Sequence, residues 1–369
     1  MMPRRKFIAA ASLGAAGVAA GGFALAARTA RARYEALVDT TWRHGTDTAN
    51  SHRARLLELV RYATLAPSSH NTQCWKFRLR EDAVSILPDF QRRCPVVDPD
   101  DHHLFVSLGC AAENLIQAAA ARGLHAEAAF TAAGDEALTI ALTPARATAS
   151  PLFEAIPLRQ TTRAEFDGKA LTSAELQLLE KAAAGTGVRV LLLTARSALE
   201  QVLDFVIAGN SAQMGEPAFV DELRDWIRFN GAHAARSGDG LFSGSSGNPS
   251  MPEWLGRRMF DLFFTAAAEN DKYARQIRSA AGIAVFVSER DDKPSWIEAG
   301  RAFERFALQA AALGIRHAHL NQPVEVSSLR PAFAAALGLS GGRPDLVVRF
   351  GRGTQMPRSL RRPLEAVLL

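Results

Sequence analysis

The sequence carries one internal repeat. Gly109-Cys-Ala-Ala-Glu-Asn-Leu-Ile-Gln-Ala-Ala-Ala-Ala-Arg-Gly123 aligns with Gly300-Arg-Ala-Phe-Glu-Arg-Phe-Ala-Leu-Gln-Ala-Ala-Ala-Leu-Gly314 at a constant offset of 191 residues. Seven of the fifteen positions match and four of those are alanines, so identity alone says little. Context says more. Both segments follow a strand-like run, start at a glycine and end at a glycine of the kind that closes helices. Glu113 and Glu304 occupy the same helical position. The reading is an α+β chain of two related units, 34–150 and 151–369, and 369 residues suffice for two domains with cores of their own.

Charge is placed unevenly. The net charge is +5, but Arg4, Arg5, Lys6, Arg28, Arg31 and Arg33 all precede the first acidic residue, Glu35. Without those six, 37 cations face 38 carboxylates, which argues against a nucleic-acid binder. Cys74, Cys94 and Cys110 form no CxxC pair and are odd in number, so they read as free or buried thiols.

Residues 1–33 read as an address. Arg4-Arg5-Lys6-Phe7 followed by an Ala/Gly-rich apolar run, 9–27, resembles a twin-arginine signal. It implies export of the folded chain by the twin-arginine machinery to the periplasm. A retained membrane anchor is the alternative, because about 20 residues just span a bilayer; the scarcity of Leu and Ile makes it a poor one.

In the body, residues 53–65 form an amphipathic helix stopped by Ala66-Pro67. Strands are expected at 74–79, 83–87, 188–193, 283–287 and 346–350, and helices at 101–122, 171–184, 201–226 and 296–313. The Gly/Ser-rich stretch 236–252 has almost no packing material and reads as a mobile lid whose shortening would cost little stability.

Ala66-Pro-Ser-Ser-His-Asn-Thr-Gln-Cys-Trp75 packs hydroxyls and amides into a helix-to-strand turn, which presents short polar groups and backbone N–H to a ligand. Leu158-Arg-Gln-Thr-Thr-Arg163 puts Arg159, Thr161 and Arg163 at alternate positions, so an extended segment turns all three one way as an anion clamp. The first segment resembles the nitroreductase family's Ala-Pro-Ser-Ser-x-Asn-x-Gln-Pro-Trp, with Cys74 in place of the proline. The second resembles that family's Arg-x-Ser-x-Arg phosphate motif, with Thr161 in place of the serine. Arg358-Ser-Leu-Arg361 resembles its closing basic segment, and His319-Leu-Asn-Gln-Pro-Val-Glu325 a two-copy branch sometimes called Acg-like.

The resemblance implies FMN as cofactor. It implies two fused nitroreductase-like units forming a pseudo-dimer, with Pro67, Ser68, Ser69, Asn71, Gln73, Arg159, Thr161, Arg163, Asn321, Gln322, Arg358 and Arg361 around the flavin. It implies hydride transfer from NAD(P)H, or another donor, to an electron-poor small molecule such as a quinone or nitroaromatic. No side-chain acid or nucleophile is required. A flavin-holding protein with little turnover is the rival reading. Only one complete set of these segments exists, so one FMN per monomeric chain is expected. No metal site is expected, since His102-His103 and His317-x-His319 have no third ligand at a matching spacing.

Overall fold

The computed structural model describes residues 28–45, 51–134 and 136–369. The twin arginines and the apolar run to residue 27 lie outside the described residues. Residues 28–41, which include the end of the expected signal region, are helical (α1). Helix α2, His52–Thr64, is capped by Ser51, whose side chain accepts from Ala54 N at 3.2 Å, and it buries Leu56, Leu59, Val60 and Ala63 on one face. Strands β1 (Trp75–Leu79) and β2 (Ala83–Pro88) precede helix α3 (His102–Ala121). The Asp98 carboxylate takes up the free N–H groups of His103 and Leu104 at the start of α3. Strands β3 (Leu124–Thr131) and β4 (Ala137–Pro144) complete a sheet of order β1-β2-β4-β3.

After α4 (Pro151–Ala155) comes α5 (Ser173–Ala183), opened by a Thr172/Glu175 capping box, and then β5 (Val188–Leu193). An insertion follows: α6 (Arg196–Met214), α7 (Pro217–Trp226), β6 (Ile227–Arg228), α8 (Gly231–Ser237), β7 (Leu241–Phe242), α9 (Glu253–Phe263) and α10 (Ala266–Arg278). The chain then returns through β8 (Gly282–Ser288), α11 (Lys293–Ala312), β9 (Arg316–His319), α12 (Gln322–Glu325), α13 (Arg330–Ala336) and β10 (Arg343–Gly351). The second sheet has the order β5-β8-β10-β9. Matched in sequence order, the two sheets have the same topology, with α3 and α11 in equivalent places.

The repeat is legible in the contacts. A Cβ built on Gly109 would fall 2.0 Å from the Ile297 carbonyl oxygen, and one on Gly300 would fall 2.0 Å from that of Val106. The offset of 191 carries each contact into the other, the reciprocity of a twofold interface inside one chain. Gly123 and Gly314, the terminal glycines of the repeat, both take left-handed backbone, at φ 75° and 69°. One continuous apolar core runs from Leu56 through both sheets to Val367. Two further segments cover sheet edges. Thr162 N donates to His317 O beside β9, while Phe77 N in β1 donates to Val367 O near the C-terminus. The segment after β4 thus covers the β9 edge of the second sheet, and the segment after β10 covers the β1 edge of the first.

The segment 236–252 differs from expectation. It contains the end of α8, strand β7 and a 3-10 turn over Ser243–Ser246. Phe242 is only 7% exposed and packs with Tyr34, Ala234 and Leu360. Asp239 is held by Arg228 at 2.8 Å and also by Arg92. A single aromatic, pinned by glycine turns on either side, supplies the packing that composition did not suggest. Phe242→Leu is therefore expected to lower stability by about 1 kcal/mol, read as a shift in the urea midpoint. An unchanged midpoint would restore the loose-lid reading.

Candidate functional site

Two abutting cavities lie between the halves and under the insertion. They share Pro67, Ser68, Thr161, Arg163 and Leu241. The smaller, ≈ 60 Å³, is also lined by Trp42, Asn71, Arg159, Arg358 and Arg361. The larger, ≈ 310 Å³, adds Ser69, His70, His103, Phe303, His319, Asn321 and Gln322. Helices α9 and α10 and the link between them close it with Phe260, Phe264, Lys272 and Tyr273. Eleven of the twelve residues picked from sequence thus come together around one space.

The turn after α2 is built under strain. His70, Asn71 and Gln73 all sit in the left-handed region, at φ 47°, 54° and 53°. Such backbone costs about 1–3 kcal/mol per residue and persists only where surrounding bonds over-determine it. Here Gln73 N donates to Ser68 Oγ at 2.9 Å, and Asn71 Nδ2 donates to the Gly240 and Leu360 carbonyls at 3.0 and 3.2 Å. Gln73 Nε2 donates to Gly238 O, and Arg362 N donates to Gln73 Oε1. Gln73 is fully buried and lines neither cavity. It is the one of the twelve that lines neither cavity, because its amide ties the insertion and the C-terminal segment to the turn.

The four arginines divide by what they already hold. Arg361 donates to the carbonyls of Thr64, Leu65 and Ala66, to Leu360 O and to Asn71 Oδ1. That uses the guanidinium's whole donor set, so Arg361 caps the C-terminus of α2 and positions the turn rather than reaching a ligand. Arg358 donates to Arg159 O and Leu158 O and lies over the Trp42 ring. Burial, with Arg159 and Arg316 nearby, brings its pKa down to about 10. Arg159 donates to Leu65 O and lies 3.3 Å from the buried Glu304. In the other half, the equivalent Glu113 is engaged by Arg301 and Arg305 of α11. Helix α3 has Cys110 and Asn114 at the matching positions, so Glu304 pairs with Arg159 from outside the repeat helix. Burial, and after it the neighbouring Glu113, raises the Glu304 carboxyl to about 7 despite Arg159.

Arg163 is different. It lines both cavities, and no carboxylate or hydrogen-bond acceptor engages its guanidinium among the described residues. Burial lowers its pKa from the ordinary value. The smaller cavity has four arginines and no acidic residue in its wall. Together with the Thr161 and Ser68 hydroxyls this makes a built anion seat.

At the other end, Asn321 Oδ1 accepts from Val347 N at 3.0 Å, which leaves its Nδ2 against His103 Nε2 at 3.2 Å. Gln322 Oε1 is buried without a hydrogen-bond partner, so it is available to a donor on a ligand. Burial, with His103, Arg163 and Arg159 adding repulsion, lowers the His319 pKa to about 3. A histidine lowered in the fold makes the unfolded chain take up its proton first, so stability falls as pH drops from about 6.5 towards 3. Relative to His319→Gln, the native chain should lose about 1.4 kcal/mol per pH unit between pH 6 and 4. Parallel urea midpoints for the two over that range would show that His319 is not held neutral.

His70 and His319 fall inside segments already singled out from sequence, though neither was assigned a role. Lys272 and Tyr273 carry no signal in the sequence, because only the fold of the insertion brings α10 over the cavity.

No protein-family model matches the chain. A curated relative, "Putative NAD(P)H nitroreductase" of Mycobacterium tuberculosis (strain CDC 1551), is 28% identical over 318 residues, covering 83% of this chain and 88% of that protein. Its counterpart in strain H37Rv matches equally. The chain is thus similar in sequence to proteins described as nitroreductases. Solved structures similar to it include the FMN-dependent nitroreductase NfnB from Mycobacterium smegmatis in complex with NADPH. That alignment has 12% identity and a TM-score of 0.38, and covers 58% of this chain and 96% of that one. Another is a nitroreductase with bound FMN from Desulfitobacterium hafniense, at 13% identity and a TM-score of 0.37, covering 59% and 97%.

Proposed function

We propose that the chain is an exported FMN-dependent oxidoreductase of the nitroreductase type, in the two-copy branch. It takes electrons from NAD(P)H and reduces an electron-poor small molecule, and one monomer holds one FMN. The observation that carries the reading is the uncompensated Arg163, facing a cavity lined by the Pro67–Ser69 turn and Thr161. The residues fit the group. Arg163, Thr161 and Ser68 would hold its phosphate, and Phe303, Val106 and Leu346 give the larger cavity apolar wall for a flat ring. When bound, FMN supplies reversible two-electron chemistry.

The chain's own part is to bind, orient and exclude water. Asn321 and Gln322 line the larger cavity and would hold the cofactor's polar edge, with Gln322 Oε1 as a free acceptor. Phe219, Leu223, Phe260 and Phe264 of the insertion shield the larger cavity, whose polar lining includes His70, His319 and Tyr273. The NAD(P)H donor is supported by the similarity to a protein described as a NAD(P)H nitroreductase. Export is supported by the Arg4-Arg5 sequence. Purified full-length chain should carry flavin at one FMN per chain and oxidise NAD(P)H when a quinone is supplied. Flavin without NAD(P)H oxidation would favour the flavin-holding reading, and two FMN per chain would rule out the pseudo-dimer site.

A further inference from the structure

Three side chains far apart in sequence converge beside the strained turn. His70 Nδ1 lies 3.5 Å from Cys94 Sγ, and with a Glu222 carboxylate oxygen the three atoms all lie within 4.8 Å of one another. We propose that His70, Cys94 and Glu222 bind a single divalent transition metal, with zinc the best match, and leave its fourth position to water.

Imidazole, thiolate and carboxylate are all zinc donors, and three protein ligands with an open position are a recurrent zinc arrangement. The thiolate and carboxylate together neutralise a dication. With Zn–S at about 2.3 Å and Zn–N at about 2.0–2.1 Å, a tetrahedral angle places sulfur and nitrogen about 3.5–3.6 Å apart. That is the separation found here. Glu222 reaches the metal by closing the remaining gap, a side-chain movement on the order of an ångström.

The ligands are held for the purpose. Glu222 Oε2 accepts from Val96 N at 3.0 Å and Oε1 from Val97 N at 3.1 Å, which orients the carboxylate and leaves each oxygen a lone pair. The left-handed backbone at His70, φ 47°, aims its ring back at Cys94 while the same residue lines the larger cavity. Cys94 is buried and carries no disulfide. It enters as the thiolate, its proton passing to solvent. The ligands come from the turn after α2, the β2–α3 loop and helix α7. A metal there would fasten the insertion to the first half at the cavity wall. No two of the three stand at a motif spacing, so only the fold brings them together.

The test uses the full chain, freed of metal with a chelator and titrated with Co²⁺. The expected result is one Co²⁺ per chain, with near-ultraviolet thiolate-to-cobalt absorption and the visible bands of a four-coordinate ion, both lost on adding an equivalent of Zn²⁺. Cys94→Ser should abolish the near-ultraviolet band. Cys74→Ser and Cys110→Ser, at the other buried thiols, should leave it. His70→Asn, in which asparagine tolerates the left-handed backbone, and Glu222→Gln should each lose the visible bands, with circular dichroism confirming the fold. Should Cys94→Ser fail to fold, those two variants carry the result. No thiolate band in the native chain, or a band that survives in folded Cys94→Ser, would overturn the site and leave an S–H···N hydrogen bond in its place. Neither outcome depends on flavin binding or turnover.

Discussion

Gly109→Val is expected to remove most of the soluble, folded chain, and Gly300→Val to do the same. At each position the first atom of any side chain would lie 2.0 Å from a backbone carbonyl oxygen of the facing helix. No rotamer change relieves a clash with backbone, so α3 and α11 would have to separate along the seam that the shared core straddles. Overpacking a core typically costs about 1–3 kcal/mol. A clash this close, at the centre of the structure, should exceed about 3 kcal/mol. Total stabilities of about 5–15 kcal/mol leave little after such a loss. Urea unfolding of whatever remains soluble measures it. Gly341→Ala, where nothing lies within 4 Å of the new atom, is the control and should change stability by less than about 0.5 kcal/mol. Equal behaviour of the three variants would contradict the close approach of the two helices.

Arg163→Ala should weaken FMN binding by about 10–150-fold, the equivalent of a lost charge-assisted hydrogen bond at about 1.5–3 kcal/mol. Fluorescence titration of flavin into the flavin-free chain gives the constant. The same variant should leave the melting temperature of the flavin-free chain unchanged or higher, because it removes a half-buried cation that no carboxylate balances. Arg361→Ala should do the opposite. Its guanidinium holds the last carbonyls of α2 and Asn71, so its loss should lower the melting temperature as well as flavin affinity. If Arg163→Ala binds FMN as the native chain does, the anion seat lies elsewhere.

The repeat helices and the site turn were legible because their physics is local. A glycine at each end of an alanine-rich helix and a proline-stopped helix before a polar turn are signals within a few residues. Alternate placement of Arg159, Thr161 and Arg163 likewise predicted that they would line one cavity, and they do. The misses have long-range causes. Strand β3, Leu-His-Ala-Glu-Ala-Ala-Phe-Thr, alternates half-buried and exposed residues but is rich in alanine, so its β preference is supplied by β4. Helix α9 exposes Trp254, Leu262 and Phe263 while Phe260, and Phe264 just after the helix, line the cavity, which blurs the one-face pattern of an ordinary surface helix. Gln73 and Arg361 have the residue types of ligands, and only the completed fold shows that their bonds are spent on the turn.

The insertion 196–278 occurs between β5 and β8 and has no equivalent between β1 and β2. In an assembly of identical subunits, one gene writes both halves, so any elaboration is copied to the second site and every substitution at the seam is made twice. Joining the halves in one reading frame ends that obligation. Gly109 and Gly300 still answer to each other across the seam, but each can be altered by a single codon. One half can thereby carry a seven-element cover while the other supplies the turn beneath it, a division of labour closed to an assembly of identical subunits.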